Sequence, residues 1–266
     1  MIYLGPAGIP TTEKTIEGGI KKLNEIGLNA MEVQFVRGVN MNIERAKKIS
    51  SLAKEYGIKL SAHAPYYINL SSDKAEVRKK SIENILATLK VANSLNADLV
   101  VVHAGYYSKI RREKTTELIL SGLEECKKAM DKLEIETYIG LETMGRKSCW
   151  GTMEEIEVVC KRIDGVIPVI DFPHIHAREN GSLTNKNKFL EIIKRYEKIL
   201  NKFLHSHFYC IEYGDKGEKK HKKLDAKEPD FSLFVPVLKE LKYDVTIISE
   251  SPILEIDSLA MKRMIK

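Results

Sequence analysis

The chain has 266 residues, 43% of them hydrophobic and 30% charged, with a formal net charge of +6. This composition is typical of a soluble globular protein, and no apolar run approaches the roughly 20 residues that cross a bilayer, which argues against membrane association. The opening MIYLGPAGIP lacks the basic start and long apolar core of a secretory signal, so we expect a cytoplasmic protein.

Short β-branched runs alternate with segments whose apolar residues recur at helical spacing. An irregular histidine-containing loop is expected after residue 171, and a charged loop after residue 209. The predicted elements, in chain order, are a strand at 2–4, a helix at 15–26, a strand at 31–36, a helix at 43–56, a strand at 58–63, a helix at 73–95, a strand at 98–103, a helix at 115–132, a strand at 137–142, a helix at 152–162, a strand at 166–171, a helix at 185–200, a strand at 202–209, a helix at 232–241, a strand at 245–250 and a helix at 254–264.

This order amounts to eight β–α units without a long linker or a break in composition. Alternating β–α units indicate a parallel sheet, and eight of them favour closure into a (β/α)8 TIM barrel, here as a single domain over residues 1–266. The alternative is an open doubly wound sheet, which usually carries a glycine-rich phosphate loop after its first strand. The segment GPAGIP at residues 5–10 is too rich in proline to open a helix in that way.

Six predicted strands end on a side chain that can bind a divalent metal. The carboxyl ends of parallel barrel strands meet on one face, where such enzymes keep their chemistry. Imidazoles and carboxylates are ligands for zinc or manganese, and a metal would offset the cost of a buried carboxylate. A lone histidine is more often structural, but six such positions in sequence order indicate a metal site. The six residues are His63, His103, Glu142, Asp171, His205 and Glu250.

Four further histidines follow these strand ends, at His174, His176, His207 and His221. Their number favours a site with more than one metal ion, which suits hydrolysis of a phosphodiester. We expect His176 and His207 to lie outside the ligand shell. The widely spaced cysteines contain no C-x-x-C pair, so they are expected to be ordinary thiols and not zinc ligands.

Six motifs in chain order resemble the successive signatures of the endonuclease IV family, which belongs to the xylose-isomerase-like barrel superfamily. The motifs are SAHAPYYINLSS at 61–72, VVHAGYY at 101–107, GLETMGR at 140–146, VIDFPHIHAR at 169–178, FLHSH at 203–207 and SESP at 249–252. The resemblance implies a metal-dependent endonuclease of base-excision repair. Such an enzyme hydrolyses the DNA backbone 5′ to an abasic site, and its partner is double-stranded DNA.

The resemblance also implies a set of zinc ligands. His63 and His103 would share Glu142 with a second ion, and that second ion would also take Asp171, His205 and Glu250. A third ion would use His174 and an Asp-x-His pair, of which His221 matches the histidine. Lys219 stands at the aspartate position and cannot bind zinc while protonated. Two Zn²⁺ are therefore expected, and a third only if Asp215, Glu218 or His207 replaces the missing ligand. Mn²⁺ is an alternative ion.

Glu142 is the predicted catalytic residue, since it would lie between two ions. Tyr66 matches a position at which the family pushes a side chain into DNA, although packing at the barrel mouth is an alternative for it. Arg37, after the second strand, is a candidate partner wedge or a solvated loop residue, and Asn69 and Lys109 are weaker candidates for backbone contacts. The basic run at 216–223 would contact phosphates or simply be solvated. We expect a monomer.

Two other functions stay open. A sugar isomerase or epimerase of the same superfamily would use Glu142 and Glu250 around one Mn²⁺ or Co²⁺, although His63 and His103 argue against it. A non-catalytic binder that kept the barrel and lost its activity is disfavoured by the complete set of strand-end ligands.

Overall fold

The computed structural model describes residues 1–107, 111–200 and 203–266. Eight strands drawn from the whole of this length form one parallel sheet, in the order β1-β10-β7-β6-β5-β4-β3-β2. The strands of the chain are β1 (Ile2–Pro6), β2 (Ala30–Gln34), β3 (Lys59–His63), β4 (Leu99–Val102), β5 (Tyr138–Glu142), β6 (Val166–Asp171), β7 (Phe203–His207), β8 (Cys210–Gly214), β9 (Gly217–Lys222) and β10 (Asp244–Ser249). A bridge between Ala7 and Glu32 joins the two edges of the sheet, so the predicted TIM barrel is confirmed as a nearly closed barrel.

Most of the helices lie around the outside of the barrel and bury an apolar face in the core. They are α1 (Ile16–Glu25), α2 (Ile43–Glu55), α3 (Ala75–Ser94), α4 (Arg112–Lys132), α5 (Met153–Cys160), α6 (Phe172–Arg178), α7 (Lys186–Tyr196), α8 (Val235–Glu240) and α9 (Glu255–Ile265). In the longest predicted amphipathic segment, α3, the residues Ile82, Ile85 and Leu89 lie on the buried face as their spacing predicts. Within the described ranges, no helix has the length and apolar character needed to traverse a bilayer.

Two predicted loops are ordered elements. The segment after β6 forms α6, because Asp171 Oδ1 accepts a hydrogen bond from the His174 backbone N–H and Pro173 suits the first helical turn. The charged segment after β7 forms an antiparallel hairpin from β8 and β9. Its second strand is mostly exposed and rich in lysine, so it lacks the apolar alternation by which a strand is found in a sequence.

The barrel interior changes from apolar to polar along the strands. Near their amino ends, Tyr138 and Phe203 lie with ring centroids 5.9 Å apart, and Lys59 Nζ lies 5.5 Å from the Phe203 ring. Aliphatic side chains such as Val101 and Val169 pack next to this layer. Because strand side chains alternate, β7 turns Phe203, His205 and His207 inward at successive heights. The polar residues therefore collect at the carboxyl ends of the strands.

The seam between β1 and β2 is tight at Gly5. A Cβ atom at this position would lie 1.7 Å from the Ala30 carbonyl oxygen, which is backbone and cannot rotate away. We predict that Gly5→Ala lowers the free energy of unfolding by more than about 2 kcal/mol, measured by denaturant titration. Gly57→Ala adds the same methyl group into open space at a φ of +65°, and should cost only about 1 kcal/mol. Equal losses in the two variants would contradict this account of the seam.

Candidate metal centre

Among the described residues, histidine and carboxylate side chains form four groups, and most of their members lie at the strand ends or in the following loops. In each group, one ligand atom per residue lies within 4.8 Å of the others. We name them the first cluster (His63, His103, Glu142), the second cluster (Glu142, Asp171, His207, Glu250), the third cluster (His174, Glu218, His221) and the inner cluster (Glu32, His205, His207).

The first cluster brings together two strand-end histidines that were predicted to act together. His103 Nε2 lies 2.7 Å and His63 Nε2 lies 3.5 Å from Glu142 Oε2. His63 is buried, and its Nε2 atom has no hydrogen-bond partner among the described residues. A buried, unpartnered nitrogen that faces a carboxylate suits a bound cation.

The second cluster differs from the expected ligand set at β7. His207 Nδ1, and not His205, lies 3.3 Å from Glu142 Oε1, 3.4 Å from Asp171 Oδ2 and 3.9 Å from Glu250 Oε1. The register explains the difference, since His207 pairs with Asp171 of β6 whereas His205 pairs with Val169. His205 therefore lies one layer deeper, where its Nε2 atom is 3.1 Å from Glu32 Oε2. His207 was expected to lie outside the ligand shell, but its Nδ1 atom lies within the second cluster.

The third cluster is complete without Lys219. Glu218 Oε2 lies 3.4 Å from His174 Nε2, and Glu218 Oε1 lies 3.6 Å from His221 Nε2. In the hairpin, Glu218 pairs with Tyr213 and Lys220 pairs with Glu212, so Lys219 is an extra residue in β9. A β-bulge of this kind resets the alternation of side chains, which places Glu218 and His221 on the same face. Of the three substitutes considered for the missing aspartate, Glu218 occupies that position.

Three of the four histidines in the first and third clusters are held by backbone carbonyl groups, and the fourth, His103, contacts the Glu142 carboxylate. His63 Nδ1 donates to the Ala64 oxygen at 2.7 Å, His174 Nδ1 to the Thr143 oxygen at 2.9 Å, and His221 Nδ1 to the Glu250 oxygen at 2.9 Å. A carbonyl oxygen can only accept, so in the neutral ring each Nε2 keeps its lone pair and faces the cluster. This arrangement is the one by which proteins orient histidine ligands toward a metal ion.

The buried carboxylates require positive charge around them. Burial alone would raise the pKa of Glu142, but the charges of His103 and His207 hold that pKa well below its usual range. For Glu218, burial is likewise outweighed by hydrogen bonds from His174 and His221, and the pKa is lowered. These groups are anions that the fold compensates with imidazoles, and divalent ions would compensate them more fully.

The buried carboxylates in turn shift the pKa values of the histidines beside them. Burial opposes protonation of His207, yet Glu32, Glu250 and Glu142 raise its pKa well above the usual value. His205 is the exception, since burial lowers its pKa and keeps the ring neutral. The inner cluster thus joins one neutral and one easily charged imidazole at a single carboxylate.

A cavity of about 320 Å³ opens onto the first and third clusters. Tyr66 is 46% exposed at its rim, and its ring centroid lies 5.1 Å from that of His63 and 5.4 Å from that of His103. Arg146 also lines the cavity, with Nε 3.9 Å from Glu218 Oε2. An aromatic face and a guanidinium group therefore stand beside the clusters, which suits a ligand that carries both a ring or base and an anion.

The remaining predicted contact residues are placed differently. Arg37 is exposed in a turn after β2. Asn69 is engaged within its own loop, where its Oδ1 atom accepts hydrogen bonds from the Ser71 backbone and hydroxyl. Lys109 lies outside the described residues. His176 is buried away from the four groups and contacts Glu228.

Glu32 is the main residue that the sequence reasoning missed. It lies inside the run AMEVQ of β2 and is fully buried. The signal was available, since the argument that a carboxylate in a buried strand needs a partner was applied to Glu142 and Glu250 and holds equally for Glu32.

The fold and these clusters define a TIM barrel whose mouth carries groups of residues that could hold metal ions. The family described as xylose isomerase-like TIM barrel matches residues 20–262, and the chain belongs to this family.

Two relatives illustrate where the chain lies within the family. An uncharacterized protein of Methanocaldococcus jannaschii is 35% identical over 269 residues, covering 99% of this chain and 96% of that protein. A protein of Thermosipho melanesiensis named probable endonuclease 4 is 27% identical over 225 residues, covering 77% of this chain and 78% of that protein. The resemblance to endonuclease IV that the motifs indicate is therefore confirmed.

Solved structures with the same fold include two kinds of enzyme. A D-tagatose 3-epimerase-like protein superposes with a TM-score of 0.73 at 21% identity, covering 97% of this chain and 95% of that one. Endonuclease IV from Thermus thermophilus superposes with a TM-score of 0.71 at 17% identity, covering 99% and 96%. These likenesses support the barrel fold and leave the reaction to be argued from the residues.

The third cluster generates a test of its ligands. We predict that Glu218→Gln binds one metal ion fewer per chain than the unaltered protein, because the amide loses the charge that balances the ion. Metal content is measured by elemental analysis after dialysis against Zn²⁺. Lys219→Met is the matched control, since Lys219 is the extra residue of the bulge, and it should retain full metal content. Loss of an ion in the control, or none in Glu218→Gln, would contradict the assignment.

Proposed function

We propose that the chain is a metal-dependent phosphodiesterase that cleaves DNA on the 5′ side of abasic sites. The observation that carries this proposal is the presence of the first and third clusters beside the second, joined through Glu142. The second cluster alone could hold the single ion of the isomerase or epimerase alternative, whereas adjoining groups suit the spread of negative charge on a phosphodiester in hydrolysis.

The three clusters would hold the ions. His63, His103 and Glu142 form the first group, and the second and third groups contact Glu142 through His207 and His174. Divalent ions bound there would neutralise the phosphate and lower the pKa of an attacking water. Glu142 supports both roles, because its Oε2 atom faces the first cluster while its Oε1 atom faces His207 and His174.

The rim of the cavity would position the DNA. Tyr66 presents a half-exposed ring above the first cluster, where it can stack on a base or fill the space of a missing one. Arg146 is suited to a phosphate oxygen beside the third cluster. Outward-facing lysines of β9, including Lys219 and Lys220, would add contacts to the DNA backbone that weaken with salt.

The second candidate is a sugar epimerase. The second cluster alone supplies a histidine and three carboxylates, among them Glu142 and Glu250, which could hold one ion and exchange protons with a sugar. The additional ligands of the first and third clusters favour the phosphodiesterase. Metal content distinguishes the two, since one ion per chain is expected for the epimerase and several for the phosphodiesterase.

Activity is tested with a duplex that contains one tetrahydrofuran abasic analogue. We predict incision by the metal-loaded protein, and a loss of at least about 10²-fold in rate for Glu142→Gln because two groups of ligands lose their shared charge. Glu154→Gln, an exposed carboxylate that pairs with Arg195 on the outer helices, is the control and should cleave normally. No incision by the unaltered protein with full metal content would refute the proposal.

Binding tests the role of Tyr66. We predict that Tyr66→Ala raises the Kd for the abasic duplex about tenfold, because stacking contributes roughly 1–3 kcal/mol per base, while metal content is unchanged. Fluorescence anisotropy with a cleavage-deficient background measures the Kd. Leu133 is exposed to the same extent, 46%, and lies at the far end of α4, so Leu133→Ala should bind normally. Equal affinities for the two variants would place Tyr66 outside the DNA interface.

A further inference from the structure

The inner cluster lies below the second cluster and shares His207 with it. Glu32 is 0% and His205 is 1% exposed, so neither can contact a substrate in the cavity. Glu32 Oε2 accepts a hydrogen bond from Ser61 Oγ at 3.0 Å and lies 3.1 Å from His205 Nε2 and 3.4 Å from His207 Nε2. Its other oxygen accepts from Gln34 Nε2 at 3.1 Å. A carboxylate with so many donors is held in one orientation.

In His207, the nitrogen that faces the candidate metal ligands is Nδ1, whereas in His63, His174 and His221 it is Nε2. Its Nδ1 atom faces Glu142, Asp171 and Glu250, and its Nε2 atom faces Glu32. A neutral imidazole carries one proton and one lone pair, so a lone pair on Nδ1 requires the proton on Nε2. His63, His174 and His221 instead donate from Nδ1 to backbone carbonyl groups. The corresponding partner of His207 is a side chain, because its Nε2 atom faces the Glu32 carboxylate.

We propose that Glu32 is a positioning residue for the second cluster. Its carboxylate accepts a hydrogen bond from His207 Nε2 and thereby presents Nδ1 toward the ion that Glu142, Asp171 and Glu250 would hold. This inference rests on the proposed metal centre. Carboxylates that orient histidine ligands in this way typically change metal affinity by about 10–100-fold when they are removed.

The alternative is that Glu32, His205 and His207 hold an ion of their own. That arrangement would require lone pairs on both nitrogens of His207, and therefore an imidazolate, if the second cluster is also filled. It would also separate Glu32 from the hydrogen bonds of Ser61 and His205 that fix its Oε2 atom. The positioning role needs no such change.

The experiment compares Glu32→Leu, Glu32→Gln and Ser61→Ala without using DNA. Leucine removes the acceptor, glutamine keeps an acceptor oxygen without its charge, and Ser61→Ala removes a neighbouring hydrogen bond to the same carboxylate. Competition with a metal chelator measures the affinity of each bound Zn²⁺. We expect one ion to bind about 10–100-fold more weakly in Glu32→Leu, and a smaller loss of its affinity in Glu32→Gln and in Ser61→Ala, because both variants keep an acceptor for His207 Nε2.

Histidine nitrogen chemical shifts give a second readout, which loss of stability alone would not change. In the Zn²⁺-loaded protein, His207 should show a protonated Nε2 and a metal-bound Nδ1, and this tautomer should be lost in Glu32→Leu. Unchanged metal affinities together with a lower Tm would overturn the proposal and leave Glu32 a purely structural residue. Loss of a whole additional ion, with the second cluster still filled, would overturn it in favour of a metal site in the inner cluster.

The outcome for Glu32 is separable from the outcome for the nuclease. A protein whose metal affinity depends on Glu32 but which leaves abasic DNA intact would retain the positioning role and lose the proposed reaction. If Glu32→Leu incises abasic DNA at the normal rate and binds metal with normal affinity, the proposed reaction is retained and the positioning role is lost.

Discussion

Four imidazoles surround the carboxylate of Glu142, and the chemistry of the barrel mouth depends on this arrangement. His103 Nε2 lies 2.7 Å, His174 Nδ1 3.1 Å, His207 Nδ1 3.3 Å and His63 Nε2 3.5 Å from its oxygens, and the carboxylate itself has no exposed surface. A buried charge is tolerated only when opposite charge is close to it. Glu142 therefore requires its histidines or the ions that they would bind. Those four histidines are spread over the first, second and third clusters.

The barrel explains why these groups meet. Parallel strands expose all their carboxyl ends on one side, and the alternation of side chains stacks the interior into layers. The aliphatic layer that contains Val101 and Val169 is buried, and a polar group in such a layer would need a partner. The third cluster is completed by elements outside the sheet, since α6 supplies His174 and the hairpin supplies Glu218 and His221.

Much of this was predictable from the sequence, because strand type and strand end are local properties. The β–α alternation indicates the barrel, and the apolar runs before Glu142 and Asp171 mark them as buried strand ends. The sequence could not distinguish His205 from His207, because the two residues are two positions apart and face the barrel interior alike. Only the pairing of β7 with β6 places His207 level with Asp171 at the mouth and His205 one layer deeper. Glu32 was overlooked because it stands within its strand and not at the end.

The bulge in β9 explains why the hairpin lacks the Asp-x-His spacing that the family resemblance implies. Without Lys219, Glu218 and His221 would be two residues apart and would share a face of a regular strand. With it they are three apart and still share a face, because the bulge absorbs the extra residue. Lys219 is thus an extra residue beside an acidic candidate ligand, and an exposed hairpin can hold one additional residue without changing the side chains that it presents. Spacing along the chain is consequently a poorer guide to a hairpin-borne ligand than to one at the end of a barrel strand.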